Sequence, residues 1–284
     1  MTYGADTSQK FDIIIPNEKA VHAIVYIHGG AYMIGNKSQY PSFLTDYSKN
    51  NIFATIDYRL INKNTNTNMK DILFDIHNAL TKIIEVSNAK GVTIKDFILV
   101  GHSAGGHIAL LYGYKYFQKE MNIKIASCIS MAGPTDFTDD LGWSSMSMWG
   151  KDLETRLPFL SWVGSKLTGQ TIELTQSNWT KQKDYLMFKN KIMDISPITY
   201  PSITEKIPPT LLVHARDDDQ VPYSNSVKLK TVLGNTSIPH TLITPDGIGN
   251  NHNLGGESYT NNSPTLFKNQ FWVKEVKKWI ETYL

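Results

Sequence analysis

The 284-residue chain is 41% hydrophobic and 19% charged with a formal net charge of +2, a composition that can bury a large core and excludes a mini-protein or a disordered tail. Lys and Arg number 28 against 26 Asp and Glu, without a run of like charges, so the balance calls for neither nucleic acid nor an anionic membrane. A small neutral partner fits better, and the length suits a single α/β domain over residues 1–284 that carries an insertion, with homo-oligomerisation left open.

The polar start, Met1 to Lys10, lacks an apolar core of signal-peptide length, and no stretch reaches the roughly 18 apolar residues of a membrane span. The expectation is a cytoplasmic protein with no stable membrane anchor. Short apolar runs then alternate with segments of helical period, the pattern of a mostly parallel sheet with helices on both faces. Predicted strands are Phe11–Ile15, Val21–Ile27, Ile52–Tyr58, Phe97–Val100, Ala126–Met131, Thr210–His214 and His240–Ile243. Met69, Ile72, Leu73, Ile76, Leu80, Ile83 and Ile84 recur at helical spacing and predict one buried stripe. Further helices are expected over Ser103–Tyr116, Ser224–Leu233 with Gly234 as its stop, and Phe267–Tyr283. The single cysteine, Cys128, sits in an apolar strand and reads as inert core.

Residues 137–208 interrupt the alternation and hold Trp143, Trp149, Trp162 and Trp179 together with Met146, Met148, Met187 and Met193. This interval predicts a helical insertion that caps the upper edge of the sheet, ahead of the strand that leads to Asp218. Its aromatic and Met side chains serve either to line a pocket or simply to glue the insertion to the body.

The strongest local signal is Phe97-Ile98-Leu99-Val100 followed by Gly101-His102-Ser103-Ala104-Gly105-Gly106 and an apolar helix. Small residues at Gly101 and Gly105 let backbones pack closely enough to hold Ser103 on a strained corner with its hydroxyl exposed. The helix that follows aims its free N–H groups at any oxyanion formed there, Ala104 N–H being the nearest donor. The strand ending at Ile27 runs into His28-Gly29-Gly30-Ala31-Tyr32 at the same edge, and Gly30 and Ala31 are the candidate backbone donors of that loop.

A serine nucleophile needs a base, and the eight histidines can be sorted by element. His22 lies in a strand, His77 and His107 in helices, His28 in the donor loop, and His102 beside Ser103. His214 closes a strand and His240 opens one. His252 alone occupies a polar loop after the last strand, and it is the candidate base. An acid to orient it is offered by Asp217, Asp218 and Asp219 after the strand Leu211-Leu212-Val213-His214, with Asp136 and Asp246 as rivals.

These motifs, with Asp57-Tyr58-Arg59-Leu60 and the stretch from Pro208 through Asp218 to Val221-Pro222, resemble the α/β-hydrolase superfamily, and within it the esterases and lipases that include hormone-sensitive-lipase-like carboxylesterases and aryl formamidases. The resemblance implies an α/β-hydrolase fold, selects Asp218 as the acid, and treats Asp57 to Leu60 as structural. The implied chemistry is two-step acyl transfer on small to medium carboxylic esters, with Ser103 as nucleophile, His252 as base and Gly30, Ala31 and Ala104 as the oxyanion hole. No cofactor or metal is implied, since H-E-x-x-H, paired cysteines, a phosphate loop and a dinucleotide fingerprint are all missing from the sequence. Amide hydrolysis, of aryl formamidase or peptidase type, is the alternative, and a non-catalytic binding module on the same fold is a second.

The departures are specific. Hormone-sensitive-lipase relatives usually carry three glycines after the histidine and an aspartate before the serine, where this chain has Ala31 and His102. The pattern is nearer the H-G-G-x-W branch with Tyr32 in the tryptophan's place, and the usual His-Gly ahead of the acid is here His214-Ala215.

Overall fold

The computed structural model describes residues 1–17, 19–116, 123–138, 152–175, 177, 190–203, 207–245, 251–256, 267 and 271–284. Among them, seven strands form one sheet: β1 (Phe11–Ile14), β2 (His22–Ile27), β3 (Ile52–Ile56), β4 (Asp96–His102), β5 (Ile125–Met131), β6 (Thr210–Val213) and β7 (His240–Ile243). Their spatial order is β1-β3-β2-β4-β5-β6-β7. Each neighbouring pair is parallel except β1 on β3, which is antiparallel and pairs Phe11 with Ile56. The described helices are α1 (Met69–Asn88), α2 (Ala104–Tyr116), α3 (Leu153–Thr168), α4 (Ser224–Leu233) and α5 (Phe271–Thr282). None is long and apolar enough to cross a membrane.

Alternation along the strands divides the core in two. In β2, Ala23, Val25 and Ile27 face a cluster shared with α1, α2 and α4, whereas Ile24 and Tyr26 face a second cluster built on Phe43, Leu44, Trp272, Val276 and Ile280. Strand β4 repeats the division, with Phe97 and Leu99 on the first side and Ile98 and Val100 on the second. Burial on both faces is what parallel strands require, and it explains why these runs are apolar throughout. The second face is covered by α5 and by a 3₁₀ segment, Ser42–Lys49, that hydrophobic period alone did not predict.

Most boundaries fall close to expectation, and the differences have causes. β4 runs on through Gly101 and His102, two residues beyond the apolar run, because Gly101 and His102 still pair with Ser130 and Met131 of β5. α5 begins at Phe271 rather than Phe267; the Phe267 ring lies ahead of it, edge-on to Trp272 at 5.1 Å and to Phe43 at 6.1 Å. α1 opens on a capping box in which Asn68 accepts from the Asp71 amide and the Asp71 carboxylate accepts from the Asn68 amide. Of the interval 137–208, the described parts hold α3 and two 3₁₀ turns, Met193–Ile195 and Pro197–Thr199. Leu167 and Ile172 join the α1 side of the core, and Lys166 Nζ donates to Thr65 O at 2.6 Å. Trp162 is half-buried beside Phe159, while Trp143, Trp149, Trp179, Met146, Met148 and Met187 lie outside the described residues.

The end of β3 is tied to α1 by a buried carboxylate. Asp75, fully buried, accepts from the Arg59 amide at 2.9 Å, from Arg59 Nη2 at 2.7 Å and from Gln9 Nε2 at 2.7 Å. One side chain thus joins the N-terminal segment, the turn after β3 and the face of α1. Removing it strands the Arg59 guanidinium, whose side chain is only 25% exposed, and the buried Gln9 amide. Asp75→Ala should lower the free energy of unfolding by about 3 kcal/mol, read from urea titration, with the midpoint shifted and the slope preserved.

Candidate active site

The carboxyl ends of β2, β4, β6 and β7 deliver every predicted site residue among the described ones to one edge of the sheet, the edge at which open parallel sheets place their ligands. Ser103 sits between β4 and α2 with φ of 53°, a left-handed conformation that is costly for a residue with a Cβ. Its N–H donates to Met131 O at 2.7 Å, and its carbonyl accepts from the His107 amide at 3.1 Å. The glycines on either side make the corner sterically feasible. A Cβ on Gly105 would lie 2.0 Å from Ile27 O, and one on Gly101 would lie 2.1 Å from Gly105 O. Helix α2 can therefore press its first turn against the end of β2 only with glycine at both places.

Ser103 Oγ and His252 Nε2 are 3.0 Å apart, and His252 Nδ1 lies 2.9 Å and 3.0 Å from the two oxygens of Asp218. An ionised carboxylate can only accept, so the His252 proton resides on Nδ1 and Nε2 is left to accept from the serine hydroxyl. Asp218 Oδ1 also accepts from the amides of Gln220 at 2.8 Å and Val221 at 2.9 Å. Its Oδ2 lies 3.1 Å from His214 Nε2, while His214 Nδ1 lies 2.7 Å from Ser226 Oγ. Burial by itself would raise the Asp218 pKa, but the hydrogen bonds from His214 and His252 outweigh it and hold the carboxyl well below the usual range.

Asp217 and Asp219 are exposed, and the rival Asp136 is engaged elsewhere: its Oδ1 accepts from the Thr138 amide at 2.8 Å and it faces Lys228 at 3.7 Å. Asp246 lies outside the described residues.

The loop after β2 has three successive left-handed residues, Gly30 at φ of 102°, Ala31 at 49° and Tyr32 at 65°. Gly30 O accepts from the Met33 and Ile34 amides, closing the turn. Gly29 approaches so closely that a Cβ there would come within 3.1 Å of Ser103 Cβ. Ala104 heads α2 and is buried. Tyr32 is anchored at both ends: its carbonyl accepts from the Ile61 amide, and its hydroxyl lies 2.9 Å from His107 Nδ1. His107 in turn donates from Nε2 to Ile195 O at 2.7 Å, and burial lowers its pKa to about 4, so the ring is neutral and Nδ1 is free to accept from Tyr32. His28 is buried beneath the loop, stacked on Tyr58 at 4.4 Å, with its pKa lowered to about 4 by burial.

Sorting histidines by element found His252 but passed over His102 and His214, which the structure places against it and against Asp218. The four-residue interval from His214 to Asp218 was visible, though nothing in it marks a contact; His102 carries no signal in the sequence beyond standing next to Ser103. Among the described residues no group of three or more His, Cys, Asp or Glu side chains could hold a metal ion.

Two outcomes are expected. Gly105→Ala should cost about 3 kcal/mol or more by thermal unfolding, because the added methyl meets main-chain oxygen that cannot move aside. Asp218 has a folded pKa below its unfolded value, so its stabilisation is complete above about pH 4 and fades as pH falls toward the folded value. The gap in unfolding free energy between wild type and Asp218→Asn should therefore be largest at neutral pH and should close on acidification below about pH 4.

Comparison with known proteins agrees with this architecture. The chain is 28% identical over 102 residues to an esterase of Acinetobacter venetianus, covering 35% of this chain and 31% of that protein. It is 22% identical over 260 residues to a probable isoprenylcysteine alpha-carbonyl methylesterase of Oryza sativa subsp. japonica, covering 86% of this chain and 56% of that protein. The chain thus spans about a third and about half of the length of these two curated relatives. Among solved structures, esterase B from Lactobacillus rhamnosis superposes with a TM-score of 0.68 at 15% identity, covering 100% of this chain and 83% of that one. A truncated carbohydrate esterase from gut microbiota gives 0.62 at 18% identity, covering 87% and 86%. At these identities the superpositions establish the α/β-hydrolase fold. The family model BD-FAE matches residues 11–233, from the first strand of the sheet to the end of α4, and the chain belongs to that family and with it to the esterase and lipase members of the α/β-hydrolase superfamily.

Proposed function

We propose that the protein is a serine hydrolase that cleaves carboxylic esters of small to medium acyl chain through a Ser103-His252-Asp218 triad. The observation that carries this reading is the unbroken hydrogen-bond chain from Ser103 Oγ through both ring nitrogens of a buried His252 to an Asp218 held ionised. Membership of BD-FAE and relatives named as esterases favour an ester over other acyl substrates.

In the first step Ser103 Oγ attacks the ester carbonyl carbon while His252 Nε2 takes the hydroxyl proton, and the imidazolium is stabilised by Asp218. The negative charge that develops on the carbonyl oxygen is met by backbone N–H groups of Gly30, Ala31 and Ala104, each donor being worth about 10²- to 10³-fold in rate. Collapse expels the alcohol, which leaves with the proton returned by His252 Nε2. Water then attacks the acyl-enzyme by the same route, and the acid departs. Residues 137–208 act in this reading as the cap over the site, supported by the contact from Ile195 through His107 to Tyr32 of the donor loop. A cytoplasmic setting belongs to the same reading.

The test is hydrolysis of p-nitrophenyl acetate, butyrate and octanoate, alongside the matching anilides, by wild type and Ser103→Ala, with fluorophosphonate labelling of both. Ester turnover should fall by at least about 10⁴-fold in the variant, and labelling should vanish with it. Anilide turnover as fast as ester turnover would move the assignment to an amidase. A wild type that neither hydrolyses nor labels would overturn the hydrolase reading altogether.

A further inference from the structure

His102 immediately precedes Ser103, and its side chain reaches the loop of the base. Nε2 lies 2.8 Å from the backbone carbonyl of His252, a pair separated by 150 positions in the chain, and the ring centroids of the two histidines are 5.1 Å apart. A carbonyl oxygen can only accept, so Nε2 of His102 carries the proton. The His102 ring is buried, and it is faced by His252, Asp218 and His214. Burial first, and then the neighbouring His252, lower its pKa to about 3, so His102 is a neutral donor wherever the enzyme would be assayed.

In the described loop Asn251–Gly256, Asn251 Nδ2 donates to Asp217 O at 3.3 Å, Trp272 Nε1 donates to Leu254 O at 3.2 Å, and the His252 side chain meets Asp218 and Ser103. His102 grips His252 itself by its main chain. It also belongs to the elbow that sets Ser103, so one turn of backbone fixes the nucleophile and, through the preceding side chain, the height and tilt of its base.

We infer that His102 is a positioning residue for His252, acting through a hydrogen bond donated from Nε2 to the His252 carbonyl. The inference deepens the triad reading and rests on it for its kinetic consequence. An aspartate at 102 could not substitute: its ionised oxygens accept only, and they would face the His252 carbonyl as like partial charges.

The test compares His102→Gln, whose amide N–H can reach the same carbonyl, with His102→Met, which fills similar space without a donor, and with His102→Asp. With p-nitrophenyl butyrate, the Met variant should lose about 10- to 100-fold in kcat with KM within about twofold, since a misplaced base slows chemistry more than binding. The Gln variant should retain most of the wild-type kcat, and the Asp variant should fall at least as far as Met. Independently of turnover, the downfield NMR resonance of the His252 Nδ1 proton should persist in resting wild type and Gln and be lost or shifted in Met. Equal kcat and an unchanged resonance in Gln and Met would overturn the proposal, as would a Gln variant as impaired as Met at equal melting temperature, which would show that ring packing and not the donated bond matters. Because the resonance needs no substrate, a wild type without esterase activity would sink the hydrolase reading while leaving the positioning of His252 by His102 open to a direct answer.

Discussion

The close approach of α2 to the end of β2 is the constraint on which the site depends. Gly105 lies against the carbonyls of Ile27 and His28, and that contact forces the reversal at Ser103, whose φ of 53° would otherwise have no reason to persist. Once the reversal exists, three things follow from it. The hydroxyl projects above the sheet, the Ala104 amide stands at the head of a helix, and the preceding side chain, His102, is turned under the loop that bears His252. A parallel sheet supplies the rigidity, because β2 and β4 are hydrogen-bonded neighbours along six successive residue pairs from His22 to Ile27. The geometry of the site is in this sense a property of two strand ends and the helix jammed between them.

Around that corner the protein manages an unusual density of imidazole. His28, His102, His107, His214 and His252 are all buried, and each has a ring nitrogen within hydrogen-bonding distance of a protein acceptor: a backbone carbonyl for the first three, a carboxylate for the last two. Burial drives His28, His102 and His107 to neutrality. The region thereby gains directional hydrogen bonds without gathering positive charge, and Asp218 is left as the charged partner of the two histidines that touch it. A cluster of lysines or arginines could have made similar contacts only by placing permanent charge beside the imidazolium that an acyl transfer would create.

The parts of this structure that were legible in the sequence are those governed by local rules. Strand-turn-helix around Ser103 could be read because glycine spacing and apolar runs are local signals, and the five inner strands because a doubly covered parallel sheet leaves them apolar on both faces. His252 could be read by elimination, whereas Asp218 was separated from its neighbours only by resemblance; the structure separates it physically, since it alone of the trio is buried. What could not be read was the set of contacts across large sequence intervals. His102 on the carbonyl of His252, His214 on Asp218, and Tyr32 on His107 depend on how strand ends are juxtaposed, and no periodicity records that. The 3₁₀ segment Ser42–Lys49 was invisible for a different reason: its turn of three residues does not match the helical period by which α1 was found.

The link between the donor loop and residues 137–208 ends on a main-chain atom, the carbonyl of Ile195, and it starts from a side chain of α2, His107. Such a contact asks nothing of the side chain at position 195. The hydrogen bond at this joint needs a carbonyl to return to His107, while the side chains beside it, Ile192, Ile195 and Tyr200, are held by burial in the core. The joint thus separates a main-chain hydrogen bond from the apolar packing around it.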